Sequence, residues 1–325
     1  MFADERRHIR ELAVCRIMKA RGSSSTVKHR RLFVPKLKFK ANQYIDLIDW
    51  FKFNFAHFCG VLLSFYLSKP VKAFLFTGNS STKSKLFHRN LKVTKIVQKW
   101  YEGDLWDVND SAHQTLTAAR SMHVRVGKKM ASLNDGVLYM SQWDMVLGQW
   151  AFVGPIVLCP SLVGLHGWTN DDFDAILHLW RTIGYLFGIE DEYNLCQGSY
   201  NQVLTACENV LHKEYKPEVE KADPISVALA KNATEAMGMV VPLYTWPALA
   251  TCIYELVGLP CPVQMDIFDN ICYSLIHFIM TFLIKFDRVR FCVNKWTRWK
   301  IKAAERKDLQ FMEKKDVQLL LGQYY

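Results

Sequence analysis

The stretch that decides the fold runs from Trp168 to Ile189 and reads WTNDDFDAILHLWRTIGYLFGI. Thr169 or Asn170 is placed to cap the free N–H groups at the start of a helix, and Asp171 and Asp172 complement the positive end of its dipole. Behind them Phe173, Ile176, Leu177, Trp180, Ile183, Gly184 and Phe187 recur at intervals of three and four. A helix starting here therefore buries one face and carries Arg181 at its edge. Gly184 inside that helix costs about 1 kcal/mol relative to alanine, which predicts that another backbone or a flat group packs closely against it.

The same period recurs on both sides. Helices are expected over roughly 43–67, 83–101, 110–131, 141–152, 170–188, 199–212, 223–237, 246–257 and 264–303, with polar breaks such as Asn134-Asp135-Gly136 between them. Half of the 325 residues are apolar and 22% are charged, which excludes global disorder, and 16 glycines with 10 prolines are too few for a turn-rich all-β fold. The reading is an all-α protein with a single large helical domain. A basic, flexible leader is expected over 1–41 and the helical body over 42–262. Residues 263–325 then form an apolar and afterwards basic amphipathic region, packed on the domain or on a membrane surface.

The net charge of +10 sits at the ends. Residues 1–40 hold twelve Lys/Arg against three acids and residues 285–315 hold eleven against four, while 41–284 hold eighteen against twenty-three. A mildly acidic body without zinc-finger or RNP-like spacing argues against nucleic acid as a partner. The nine cysteines form no CxxC and no paired spacing, so they read as scattered core thiols of a reducing compartment. The N-terminus lacks the apolar run of a secretory signal, so the chain is not expected to be secreted.

Four runs without charge, 55–68, 145–170, 236–254 and 270–284, raise the question of a membrane. Pro155 and Pro160 in the second and Pro242 and Pro247 in the third are expected to break a spanning helix, so buried core helices explain these runs better. After Ile284 the sequence KFDRVRFCVNKWTRWKIK mixes Lys/Arg with Phe291, Trp296 and Trp299. Two readings stand: a helix lying in a membrane interface, or a solvated helix covering the core with its apolar stripe.

No GxSxG, HExxH, P-loop or strand-borne GxGxxG is present, which removes the common hydrolase and nucleotide readings. What remains is a histidine in an apolar seam. Leu116, Ala119, His123, Val126 and Met130 are spaced three and four apart, and a buried imidazole needs a hydrogen-bond partner or a metal. Gly127, one turn on, removes a side chain where a flat macrocycle needs clearance, and Arg120, one turn back, offers a cation. In the preceding helix Arg89, Val93, Ile96 and Trp100 form a second seam, with Lys92 one turn from Arg89. Such cations imply a shared anion inside the fold, either a ligand or an acidic side chain such as Asp144.

Arg89-Asn90-Leu91-Lys92, Arg120-Ser121-Met122-His123, Ser141-Gln142-Trp143-Asp144-Met145 and the run His178 to Ile189 together resemble the family of rubber oxygenases and the ER-bound oxygenase of mycophenolic acid biosynthesis, over roughly residues 42–255. The resemblance implies an all-α fold enclosing haem b, with His123 as the iron ligand, Lys92 and Arg89 as catalytic residues, and Arg120, Gly127 and Thr94 in the cofactor site. This chain departs from the rubber enzymes in two places. They place threonine directly after the lysine, where Val93 stands here and Thr94 follows, about 100° further round the helix. They also carry arginine at the position of Gly127. The expected activity is a haem b-dependent oxygenase using dioxygen on a hydrophobic, isoprenoid or lipid-like small molecule, at a membrane surface such as the endoplasmic reticulum with the body facing the cytosol. The alternatives are a non-catalytic membrane-associated protein retaining the fold, and a haem-binding sensor or carrier.

Overall fold

The computed structural model describes residues 50–133 and 135–306 of the chain; the basic leader over 1–41 and the start of the body near Asn42 lie outside the described residues. Among the described residues there are helices and no strands, as the sequence period requires. The chain falls into two compact units, each assembled from separate stretches.

One unit takes residues 95–150 and 168–206. Its organising helix is Asn170–Phe187 (α6), and Thr169 is its N-cap. The Thr169 backbone N–H and hydroxyl both donate to Asp172 Oδ2, at 2.9 and 2.7 Å. Gly188 ends the helix in the left-handed region at φ 97°, and the amides of Gly188 and Ile189 return to Tyr185 O and Gly184 O at 2.9 Å. Phe173, Ile176, Leu177, Trp180 and Ile183 are buried, the face the sequence predicts. Arg181, at the edge, donates to Cys196 O at 2.7 Å and Gly198 O at 3.0 Å and so ties down the loop that follows. The close neighbour of Gly184 is not a backbone but two planar side-chain amides: a Cβ there would lie 2.6 Å from Gln149 Nε2 and 2.9 Å from Asn194 Nδ2.

Ser111–Met130 (α4) packs against α6. Asp110 caps it through a bond from Ala112 N, and Leu116, Val126 and Met130 are buried as its seam requires. The helices Lys83–Glu102 (α3) and Gln142–Leu158 (α5) begin or end in this unit, Trp100, Tyr101 and Trp150 being buried parts of its core. Trp180 Nε1 donates to Tyr101 OH at 2.9 Å.

The other unit takes residues 50–94, 151–167 and 207–306 among those described. Trp50–Ser64 (α1) and Ser68–Phe76 (α2) meet at a 95° bend. The sequence reading stops at one helix here; Ser68-Lys69-Pro70 is the start signal for the second, since proline fits a first helical turn. Tyr200–Val210 (α7) runs through a π turn into Lys216–Lys221 (α8), and Pro224–Gly238 (α9) and Trp246–Val257 (α10) follow. Pro242 and Pro247 interrupt their run as expected, whereas Pro155 does not: α5 continues three residues beyond it to Leu158, with the loss of the one bond its missing N–H would donate four residues back. The expected single helix over 264–303 is two, Ile267–Thr281 (α11) and Asp287–Arg306 (α12), separated where Ile284 turns inward and Asp287 opens a new first turn. All eight described cysteines are free thiols, and Cys15 lies outside the described residues.

Burial has a titration consequence in α1. His57 is buried with Nδ1 3.1 Å from Phe152 O, and because a carbonyl only accepts, the ring donates from Nδ1. Burial pushes its pKa down from 6.5 to about 3, opposed by that bond. The unfolded chain therefore takes up the proton first, so this contribution to stability is present above pH 6.5 and is lost as pH falls toward 3. We expect the denaturation midpoint to drop over that window and His57→Asn, which keeps a donor, to flatten the drop. Superimposable pH profiles for the two proteins would contradict this assignment.

Candidate functional site

The six expected site residues fall three to each unit: Arg120, His123 and Gly127 on α4 in one, Arg89, Lys92 and Thr94 on α3 in the other. Each set has its own surroundings.

On α4, His123 is half-buried, not enclosed in the core. The helix α6 ends at Phe187, and it is this last side chain of α6 that the imidazole meets. The ring of Phe187 lies 5.5 Å away, tilted by 52°, and Trp100 stands edge-on to Phe187 on its other side at 5.4 Å. Trp100 is held in turn by its Nε1 donating to Thr115 Oγ1 at 3.2 Å.

Arg120 reaches the same helix end. Its Nη1 donates to Leu186 O at 3.2 Å, and the guanidinium lies against Gly188, where an added Cβ would be 3.1 Å from Nη2. A cation over the free carbonyls of a helix C-terminus is stabilising, typically by about 0.3–1 kcal/mol when exposed and more when partly buried. Burial lowers the Arg120 pKa, offset in part by Tyr185. Gln142 completes this clamp, donating from Nε2 to Gly188 O at 2.9 Å and accepting from Glu190 N at 3.1 Å.

Gly127 does not face open space. A Cβ there would meet the Met140 side chain at 3.1 Å and Tyr139 O at 3.3 Å. Met140 adopts a left-handed φ of 56°, a conformation that costs a non-glycine residue about 1 kcal/mol or more. Asp144, the carboxylate considered as an internal partner for the cations, accepts from Ser141 N at 2.8 Å and Ser141 Oγ at 2.9 Å and so caps α5.

On α3 the buried side chains are Ser84, Leu86, Phe87, Asn90, Leu91, Val97, Trp100 and Tyr101, so of the expected seam Trp100 is enclosed while Arg89, Val93 and Ile96 are half-buried at its edge. The Arg89 guanidinium packs 3.9 Å from the centre of the Phe74 ring and 6.0 Å from that of Phe65, and Nη1 donates to Ser80 Oγ at 3.0 Å. Removal from water pulls its pKa down to about 10. Ring faces supply the negative potential here; no carboxylate pairs with it among the described residues. Lys92 is exposed and Thr94 half-buried.

For the haem b that the resemblance implies, the fit is confined to one group. His123 offers a half-buried imidazole, the kind of group that ligates iron, with its Nδ1 out of reach of solvent. The clearance expected beside Gly127 is instead filled by Met140, and Arg120 is engaged by the end of α6. Among the described residues no cluster of three or more His, Cys, Asp or Glu is arranged to hold a metal ion. Sequence reasoning missed Met140 and the Gln142 clamp, which no periodicity signals, and it read Phe187 as part of the apolar face of α6 without placing it beside His123. No protein-family model matches the chain, and no curated protein or solved structure matches it.

Proposed function

We propose that this chain is a haem-dependent oxygenase of the rubber-oxygenase type, oxidising a hydrophobic isoprenoid or lipid-like small molecule with dioxygen, with His123 as the iron ligand. The observation that carries the reading is the half-buried His123 imidazole one turn from Arg120, in the order and spacing of the motifs described above. Haem, when bound, supplies an iron with an open position for dioxygen. The chain's own residues supply the nitrogen base at His123, an apolar wall at Phe187 and a fixed positive charge at Arg120.

The experiment is spectroscopic. Full-length chain titrated with hemin is expected to develop a Soret band that His123→Ala shifts or abolishes, while the dichroism spectrum stays helical. Oxygen uptake in the presence of an isoprenoid then separates turnover from carriage. A second reading, a helical protein that retains the fold without the chemistry, is favoured by Met140 packing over Gly127. A colourless preparation that takes up no hemin overturns the first reading and supports the second.

A further inference from the structure

The second unit carries a surface whose polarity is reversed. In α11, Cys272, Ile276 and Met280 face inward, and Met280 O accepts from His166 Nε2 at 2.9 Å, which fixes that face against the unit. On a helix bathed in water the opposite face is polar. Here it presents Ile267, Phe268, Ile271, Leu275 and Phe278, continued by Phe282 and Phe286, all exposed, with no Lys, Arg, Asp or Glu from 270 to 284. Phe268 alone leaves 60% of its surface uncovered.

The following helix repeats the inversion. The buried positions of α12 are Asn294, Thr297 and Ile301, and Asn294 Oδ1 accepts the Phe51 backbone N–H at 3.0 Å inside the unit. Its exposed positions include Phe291, Trp296 and Trp299, the last 58% exposed. Of the two readings left open for this stretch, the solvated helix with an inward apolar stripe is therefore the one its burial pattern opposes: polar side chains point in and aromatic ones point out.

We infer that the outer face of α11 and α12 is a docking surface for an anionic lipid bilayer, the two helices lying in the plane of the interface. Exposed apolar area of this extent marks an interaction site in a soluble protein, and charge selects the occupant. The sequence from Asp287 to Arg306 holds seven Lys/Arg against two acids, intermixed with the aromatics. Lys300 Nζ lies 5.5 and 5.8 Å from the centres of the Trp296 and Trp299 rings. Indoles at headgroup depth with lysine stems beside them are the chemistry of an interfacial helix. A second copy would bring the same positive charge against this face, and so would the chain's own first forty residues, with twelve Lys/Arg against three acids. Phosphatidylserine-type headgroups are complementary to it. Because one face of α11 is packed against protein, these helices lie on the bilayer and do not cross it. The inference stands apart from the haem reading.

The test is co-sedimentation of the full chain with vesicles of phosphatidylcholine alone and with roughly one-third phosphatidylserine. Binding to the anionic vesicles is expected, weakening as salt is raised. Lys302→Ala should cost about fivefold in partitioning. Phe282→Ser and Trp299→Ser should each cost about tenfold, since each removes an exposed aromatic ring from the interface, and an unchanged circular dichroism spectrum checks folding. Absence of binding to either vesicle overturns the proposal. So does binding that ignores lipid charge and salt, or a concentration-dependent dimer that the same substitutions dissolve, which makes a second copy the occupant.

Discussion

Gly60→Ala is expected to destabilise the protein by about 3 kcal/mol or more, near or beyond the usual upper range for overpacking. Gly60 lies in α1 against the last turns of α5, where a built Cβ would come 1.7 Å from Ala151 O and 2.6 Å from its carbonyl carbon. Nothing at that contact can rotate away, because the obstacle is helix backbone. Pro155 sharpens the arrangement. Having no N–H, it cannot donate to Ala151 O four residues earlier, the carbonyl that a Cβ at position 60 would meet. An added methyl must push the two helices apart, with loss of the packing around Ala56, Leu63 and Val153, all buried. Gly148→Ala, in the same helix α5 but with nothing within 4 Å of a built Cβ, serves as the contrast and should raise stability by about 0.5–1 kcal/mol. Denaturant titration of the three proteins decides it: a Gly60→Ala midpoint at the wild-type value removes the close contact from the account.

The second large effect is expected at Gln149, which is buried and uses both ends of its amide. Nε2 donates to Trp180 O at 2.8 Å and Asn194 Oδ1 at 3.0 Å, while Oε1 accepts from Leu195 N at 3.1 Å. Asn194 extends the cluster, donating to Arg181 O at 2.9 Å and accepting from Cys196 N at 3.2 Å. These two amides fix the loop after α6 onto the helix, and the missing side chain at Gly184 makes room for them. Gln149→Leu preserves bulk but strands the Leu195 N–H away from water, at about 1–3 kcal/mol, and removes two further bonds. Destabilisation of about 3 kcal/mol is expected, with faster hydrogen exchange at Leu195 and Cys196. Unchanged protection at those amides would show that the loop is held by Arg181 instead, through its bonds to Cys196 O and Gly198 O.

Both cases show where legibility stops. The boundaries of α6, its buried face and the anomaly of Gly184 are readable because capping groups and the three-four spacing act within a few residues. What occupies the space at Gly184 depends on Gln149, thirty-five positions away, and nothing periodic marks a glutamine as buried. The seam of α4 predicts Leu116, Val126 and Met130 correctly, yet treats His123 as equally enclosed, since a helical wheel does not know that the covering helix ends at Phe187. Gly127 was legible as a place without a side chain but not as a seat for Met140, whose left-handed backbone carries no signal in a residue that rarely adopts it. The prolines divide in the same way: Pro247 sits in the first turn of one helix and Pro155 inside the last turn of another, and no residue type separates the two cases.

The sequence by itself determined that the described residues form helices without strands, where most of those helices begin and end, and that the net positive charge sits at the ends. Those properties follow from hydrogen bonds and side-chain periods local to each segment. Only the tertiary structure decided which way each face points: that Arg89 rests on Phe74, that Arg120 closes the end of α6, and that α12 turns Asn294 inward and Trp299 outward. Such choices join residues far apart in the chain, and their free energy comes from burial and pairing that no single segment contains.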